Sequence, residues 1–285
     1  MHIAFLGLGL IGGSVARAAG GSGFATRVTA WTPDGRGPRA ARAEGIEAAS
    51  SAGQAIRGAD LIVLAAPPLA CLALLDDLAG PLARDLAPDA VVTDVASTKV
   101  VIVERARSLG LRFVGGHPMA GNESSGYPAA DPALFRDRPW VLVPAEPDDA
   151  AADDRVAGLA MACGARGFQM SAAAHDAAVA AVSHVPLVLS AALVEAMTGR
   201  PDWPAASFLA AGGWASMSRL ARGDPAMGAG IVVTNGPAIA DRLRDLKAVV
   251  EGWLALLEAG AIDRVEVERR LAGVRGRAGD TGTPE

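Results

Sequence analysis

Lysine is nearly missing from this sequence. Lys99 and Lys247 are the only two, so almost all of its positive charge is arginine. With 26 Lys and Arg against 31 Asp and Glu, the net charge is −5, which leaves no basic field to hold nucleic acid. Cysteine is as sparse. Cys71 and Cys163 lie in apolar surroundings without metal-ligand spacing, which points to free thiols in a reducing compartment and to no bound metal. No basic leader or cleavage site precedes the first apolar run, MHIAFLGLG, so a cytoplasmic protein is expected. Formal charge is absent between Asp176 and Glu195, over a run long enough to cross a bilayer. Alanine dominates that run, and Ser183, His184, Pro186 and Ser190 interrupt it. We therefore expect no membrane span there, but a helix buried on all sides in a protein core.

What the chain does have is apolar bulk and a rhythm. At 285 residues, 51% hydrophobic and 20% charged, it can bury a large core and is long enough for two domains. His2 to Leu6 reads as a short apolar strand, followed by Gly7-Leu8-Gly9-Leu10-Ile11-Gly12 and then a helix pattern through Val15, Ala16, Ala18 and Ala19. Between a strand and a helix, this glycine spacing is a dinucleotide fingerprint. Gly7 would make the tight turn, Gly9 would let the backbone reach a pyrophosphate, and Gly12 would let the helix pack on the strand. The helix N-terminus, starting from Leu10 and Ile11, would face the phosphates.

A second strand, Arg27 to Trp31, should end near the ribose. Thr32 stands there, with Asp34, Arg36 and Arg39 behind it. A hydroxyl with guanidinium groups suits a 2′-phosphate, so the cofactor is NAD or NADP, with a lean to NADP or dual use. Asp34 swinging in to grip a ribose hydroxyl is the competing reading. Alternation continues through a strand at Leu61 to Ala65, closed by Ala66 and Pro67 where a nicotinamide would lie. A helix follows at Leu72 to Leu86, a strand at Ala90 to Asp94, a helix at Val100 to Leu109 and a strand at Phe113-Val114. Trp140 to Val143 reads as a strand, Asp153 to Gly164 as a helix, and Gly167 to Met170 as a last strand. This is an α/β fold, a doubly wound Rossmann-type parallel sheet over residues 1–171. Only helical patterns follow, so residues 172–272 form an all-helical domain. Residues 273–285 read as a disordered tail.

The stretch GGHPMAGNESSG, 115–126, holds one of four histidines, His117, in a glycine-rich loop. Pro118 restricts the histidine to extended geometry. A fixed imidazole at the ligand-binding edge of such a sheet suits proton transfer near neutral pH, and Ser97 emerges on the same edge.

The motifs GLGLIGGS at 7–14, DVASTK at 94–99, GGHPMAGNESSG at 115–126, SHVP at 183–186 and SRLARGDP at 218–225 resemble those of the prephenate/arogenate dehydrogenase family of tyrosine biosynthesis. They run in the family's order over nearly the whole chain. The resemblance implies oxidative decarboxylation of prephenate to 4-hydroxyphenylpyruvate, with hydride passing to NAD(P), or of arogenate directly to tyrosine. It implies His117 as the base on the ring hydroxyl and Ser97 as its catalytic neighbour. Arg219 would bind a substrate carboxylate, His184 would face the cleft, and Glu123 would stand at its mouth. His175-Asp176 reads as a helix start with no catalytic role. Two departures, Leu187 and Ser216, replace a histidine and an aspartate carried by many prephenate-using members, and they leave the substrate open.

The resemblance also implies a homodimer through the residues after 171, where Leu243, Leu246, Val250, Trp253 and Leu257 form a stripe. No regulatory domain or fused mutase is expected. Two other readings compete: a different two-domain reductase, which would lack the GGHPMAG loop, and a cofactor-sensing binding protein without turnover.

Overall fold

The computed structural model describes residues 1–121 and 124–279. In chain order, the first half holds β1 (His2–Leu6), α1 (Leu10–Gly21), β2 (Arg27–Trp31), α2 (Arg36–Ala41), β3 (Glu47–Ala48), α3 (Ala52–Ile56), β4 (Leu61–Leu64), α4 (Pro68–Ala79), β5 (Val91–Asp94), α5 (Val100–Ser108), β6 (Phe113–Pro118), β7 (Pro139–Val143), α6 (Ala150–Ala162) and β8 (Arg166–Gln169). The strands form an eight-stranded sheet in the order β3-β2-β1-β4-β5-β6-β7-β8.

Side chains alternate across the central strands, so each face of the sheet buries its own core. Ile3 and Phe5 pack with Val15 and Ala19 of α1 and with Val156 and Leu159 of α6. Ala4, Leu6, Ile62 and Leu64 pack on the other face with Leu75 and Leu78 of α4 and Ile102 of α5. Strands buried on both faces are what near-continuous apolar runs produce. Cys71 and Cys163 are buried free thiols, and burial pushes both up to about 12.

Three departures from the sequence reading concern this half. The sheet is not wholly parallel: β7 runs antiparallel to β6, with His117 opposite Val141, and β8 then runs parallel to β7. Among the described residues between β6 and β7 there is no crossover helix, only short turns such as Tyr127–Ala129, and the chain returns in the opposite direction. The short β3, α2 and α3 have no counterpart in the sequence reading. His117, expected in a loop, lies within β6, because β7 extends the pairing to Pro118.

Beyond β8 every element is helical: α7 (Ala172–Val179), α8 (Val185–Thr198), α9 (Trp203–Ser207), α10 (Gly212–Met217), α11 (Pro225–Thr234), α12 (Gly236–Glu258) and α13 (Arg264–Gly279). A π-helical turn, Ala180–His184, joins α7 to α8 just before Pro186. Proline has no N–H to donate four residues back, and the wider turn accommodates that gap. The whole stretch Ala172–Thr198 is long and apolar enough to span a membrane by length and composition alone, with a mean hydropathy of 2.0 over its most apolar 18 residues. It was expected to be buried on all sides. Instead it is buried along one face through His175, Asp176, His184 and Ser190, while Val182 is 72% exposed. The sheet-side elements, the 220–222 turn and Asn235 cover only that side of it.

By internal contacts, residues 1–239 form one compact unit, and the described residues from Ala240 onward belong to a second. The reason is a set of bonds that tie the early helices to the sheet: Asp176 accepts from the backbone of Lys99 and Val100, and Thr98 bonds Thr234 through their hydroxyls at 2.9 Å. Within the second unit, the expected tail is helical as far as Gly279. Arg264 pairs with Glu268 and Arg269 with Glu266, both at 2.7 Å, and Arg270 lies 5.0 Å over the Trp253 ring. Pairs at these spacings favour a helix that composition alone would not.

Candidate active site

The turn after β1 is built by contacts rather than by composition. Gly7 has φ +106°, and a Cβ there would stand 2.2 Å from the Ala65 carbonyl oxygen. A Cβ on Gly12 would meet Ala65 Cβ and the Gly7 carbonyl oxygen, both at 2.7 Å. Both positions must be glycine for β1, β4 and α1 to close up. Gly9 differs, since a Cβ there would have nothing within 4 Å. It is also the N-cap of α1 and offers no side-chain cap. An uncapped helix start facing open space fits a pyrophosphate. Leu8 and Leu10 have buried side chains, so only their backbone can serve a cofactor.

At the end of β2, Thr32 donates to Asp34 Oδ1 at 3.0 Å, and Arg36 pairs with Asp34 at 2.9 Å. Arg39 donates to the Asp34 carbonyl at 2.8 Å. The expected hydroxyl, carboxylate and arginines thus meet at one point. Ala66 and Pro67 lie half-buried at the end of β4, ahead of α4.

Next to this edge, Asp94 ends β5, fully buried. It accepts from Lys99 Nζ and from the backbone N–H groups of Ala96 and Gly116, each at 3.1 Å. A Cβ on Gly116 would stand 2.5 Å from the Asp94 carbonyl oxygen. The glycines before His117 therefore serve close approach of β6 to β5. Among the described residues of the 115–126 stretch, positive φ occurs only at Gly126.

His117 is half-buried near the carboxyl end of β6, and its Nδ1 lies 2.8 Å from His175 Nε2. His175 Nδ1 lies in turn 2.7 Å from Asp176 Oδ1. Asp176 Oδ1 also accepts from Lys99 N at 2.8 Å, and Oδ2 accepts from Val100 N at 2.9 Å, so the carboxylate caps α5 from another helix. Burial holds the His117 imidazole well below the usual 6.5, with Lys99, His175 and His184 adding to the effect. From sequence, His175-Asp176 reads only as a helix start without a catalytic role. The signal was there: a carboxylate opening a charge-free apolar helix must find buried partners.

His184, at the end of the π turn, is 1% exposed. Asn235 Nδ2 spans the Asp176 carbonyl at 2.9 Å and His184 Nδ1 at 3.0 Å. A carbonyl only accepts, so Asn235 must donate on this side, and His184 Nδ1 accepts. The hydrogen of neutral His184 then sits on Nε2, which has no hydrogen-bond partner among the described residues. Burial lowers this histidine to about 4.

The Ser97 backbone lies against His184, and the residue itself is half-buried. Arg219 is exposed on the turn ahead of Leu220–Arg222, which is anchored to α8 where Ala221 N donates to Ser190 Oγ at 3.0 Å. Glu123 lies outside the described residues. The structure thus gathers His117 and His184 with the unforeseen His175, Asp176 and Asn235.

Residues 15–169 match the family model described as "Prephenate dehydrogenase, nucleotide-binding domain", and residues 171–268 match "Prephenate dehydrogenase, dimerization domain". The chain belongs to the prephenate dehydrogenase family. Prephenate dehydrogenase of Bacillus subtilis is 32% identical over 246 residues, covering 84% of this chain and 66% of that protein, so the chain spans just under two thirds of that relative. Cyclohexadienyl dehydrogenase of Zymomonas mobilis is 30% identical over 84% of this chain and 82% of its own. The crystal structure of Synechocystis arogenate dehydrogenase superposes with a TM-score of 0.81 at 30% identity, covering 99% of this chain and all of that one. Within the family, the two matched segments meet at residue 170, where β8 gives way to the helical half.

Proposed function

We propose that this chain catalyses the oxidative decarboxylation of prephenate, with NAD(P) as hydride acceptor, giving 4-hydroxyphenylpyruvate and CO₂. One observation carries the reading: a half-buried histidine, kept neutral by burial, at the carboxyl edge of a sheet whose first turn fits a dinucleotide.

A bound nicotinamide dinucleotide would accept hydride from the carbinol carbon of the ring. His117 takes the hydroxyl proton, which removes the penalty of positive charge developing at that carbon. The carboxylate bond then breaks, its electron pair enters the ring, and the oxygen recovers its proton as a phenol from His117. No proton is gained or lost overall. His184 offers its Nε2–H to an acceptor on the substrate, and Ser97 stands beside the reacting hydroxyl. Arg219 holds a carboxylate by bidentate pairing, and Glu123 borders the entrance. The start of α1, with Gly9, Leu10 and Ile11, holds the pyrophosphate. Thr32 with Asp34 suits a ribose hydroxyl, whereas Arg36 and Arg39 suit a 2′-phosphate once the Arg36–Asp34 pair opens, so the chain uses either cofactor.

Arogenate is the second reading. It is favoured by the apolar Leu187 one turn past His184 and by the likeness to an arogenate dehydrogenase over nearly the full chain. Two copies associate through residues after 171, the segment that matches a dimerization domain.

The test is kcat/KM in a grid of prephenate or arogenate with NAD or NADP. Turnover of prephenate above that of arogenate supports the leading reading, and the reverse supports the second. Silence in all four cells overturns both.

A further inference from the structure

We propose that His175, oriented by Asp176, is a positioning residue that fixes His117 in the tautomer bearing its hydrogen on Nδ1. The substrate hydroxyl would then always meet a lone pair on Nε2. This rests on the dehydrogenase reading above and names a residue that reading does not use.

Hydrogen counting leads there. The Asp176 carboxylate accepts two backbone N–H groups that cannot reverse direction, those of Lys99 and Val100. Its contact with His175 Nδ1 at 2.7 Å therefore takes a hydrogen from the ring. A His175 ring whose one hydrogen is on Nδ1 has a lone pair on Nε2, which lies 2.8 Å from His117 Nδ1. The only hydrogen available to that contact is on His117. With Nδ1 protonated, Nε2 of His117 is the base.

Lys99 from the start of α5, the His175 ring and His184 from the start of α8 all oppose a cation on His117, and Asp94 offsets Lys99 through their buried pair. When His117 takes a proton on Nε2, its Nδ1–H bond to His175 strengthens. The new charge then faces Asp176 through one intervening ring. The histidine pair meets edge to face, with ring centroids 5.0 Å apart and planes 71° apart, which leaves the Nε2 edge of His117 clear of its partner. A carboxylate–histidine support of this type fixes tautomers elsewhere in catalysis.

The experiment is histidine ¹⁵N NMR on the full chain without ligand, at neutral pH, for wild type, His175→Leu and His175→Gln, with kinetics on each. The expected wild-type spectrum shows His117 protonated at Nδ1 and bare at Nε2. His175→Leu should lose that preference and lower kcat by about 100-fold, with the substrate KM changed less than about threefold. The Gln carbonyl can accept the Nδ1 hydrogen, so His175→Gln should restore both the tautomer and kcat to within about tenfold of wild type. A wild-type spectrum with the hydrogen on Nε2 overturns the inference without any variant. So does His175→Leu with undiminished kcat. If wild type turns over neither prephenate nor arogenate, the proposed function fails. The free-protein spectrum still decides the tautomer.

Discussion

Asp176, on the first helix beyond the sheet, accepts the backbone N–H of Lys99 at 2.8 Å and so caps a helix belonging to the sheet. Its other oxygen takes the N–H of Val100, and the residue is 3% exposed. Asp176→Ala strands those two donors and the His175 ring together. Leaving buried donors unpaired costs about 1–3 kcal/mol each, so a loss of about 3 kcal/mol in folding stability is expected. Urea unfolding monitored by tryptophan fluorescence measures it. A change below about 0.5 kcal/mol is the size seen at ordinary surface positions and would contradict the capping role.

The glycine turn separates folding from binding. Gly9→Ala places its methyl in open space, so the melting temperature should stay at the wild-type value while NAD(P) affinity falls by about tenfold or more. Gly7→Ala would drive a methyl to 2.2 Å from the Ala65 carbonyl at a backbone angle of +106°, and the fold itself should suffer. Calorimetry of both variants, with and without cofactor, distinguishes the two behaviours. Equal loss of stability in both would contradict the assignment of Gly9 to the cofactor.

The buried histidines set the response to pH. His184 is lowered to about 4 from 6.5, so between those values the unfolded chain binds a proton that the folded chain refuses. Its contribution is complete above pH 6.5, and it drains away as the pH falls toward 4. His117 shifts in the same direction. The acid limb of kcat/KM, which requires neutral His117, should accordingly lie below 6.5. A limb at or above 6.5 would remove His117 as the base.

His117→Asn should reduce kcat by about 10³-fold while leaving cofactor affinity near wild type. Arg219→Ala, by contrast, should raise the substrate KM with little effect on kcat. Steady-state kinetics with both substrates reads the two effects. An unchanged KM would take Arg219 out of the site.

Much of the sheet could be read directly from the chain. Runs such as Leu61–Leu64 are apolar at every position, as a strand covered on both faces must be, and the glycine spacing after β1 has a mechanical reason at each position. Direction was not readable. Trp140 to Val143 reads as a strand in either sense, and only the return of the chain made it antiparallel to β6. His117 stood out because glycines and a proline flank it. Its partner did not, because 58 residues separate His117 from His175 and no local periodicity links them. The helical turns past Gly273 were likewise hidden, since they continue a helix that begins back at Arg264.

The sequence alone determined the alternating architecture, the dinucleotide turn and the glycine- and proline-flanked setting of His117, because each depends on residues close together in the chain. Tertiary structure decided what the His117 imidazole meets. A proton's position depends on donors and acceptors brought together from β6, α5, α7 and α11. Only folding makes Asp176, His175 and His117 one line of hydrogen bonds, with Asn235 turning His184 beside them.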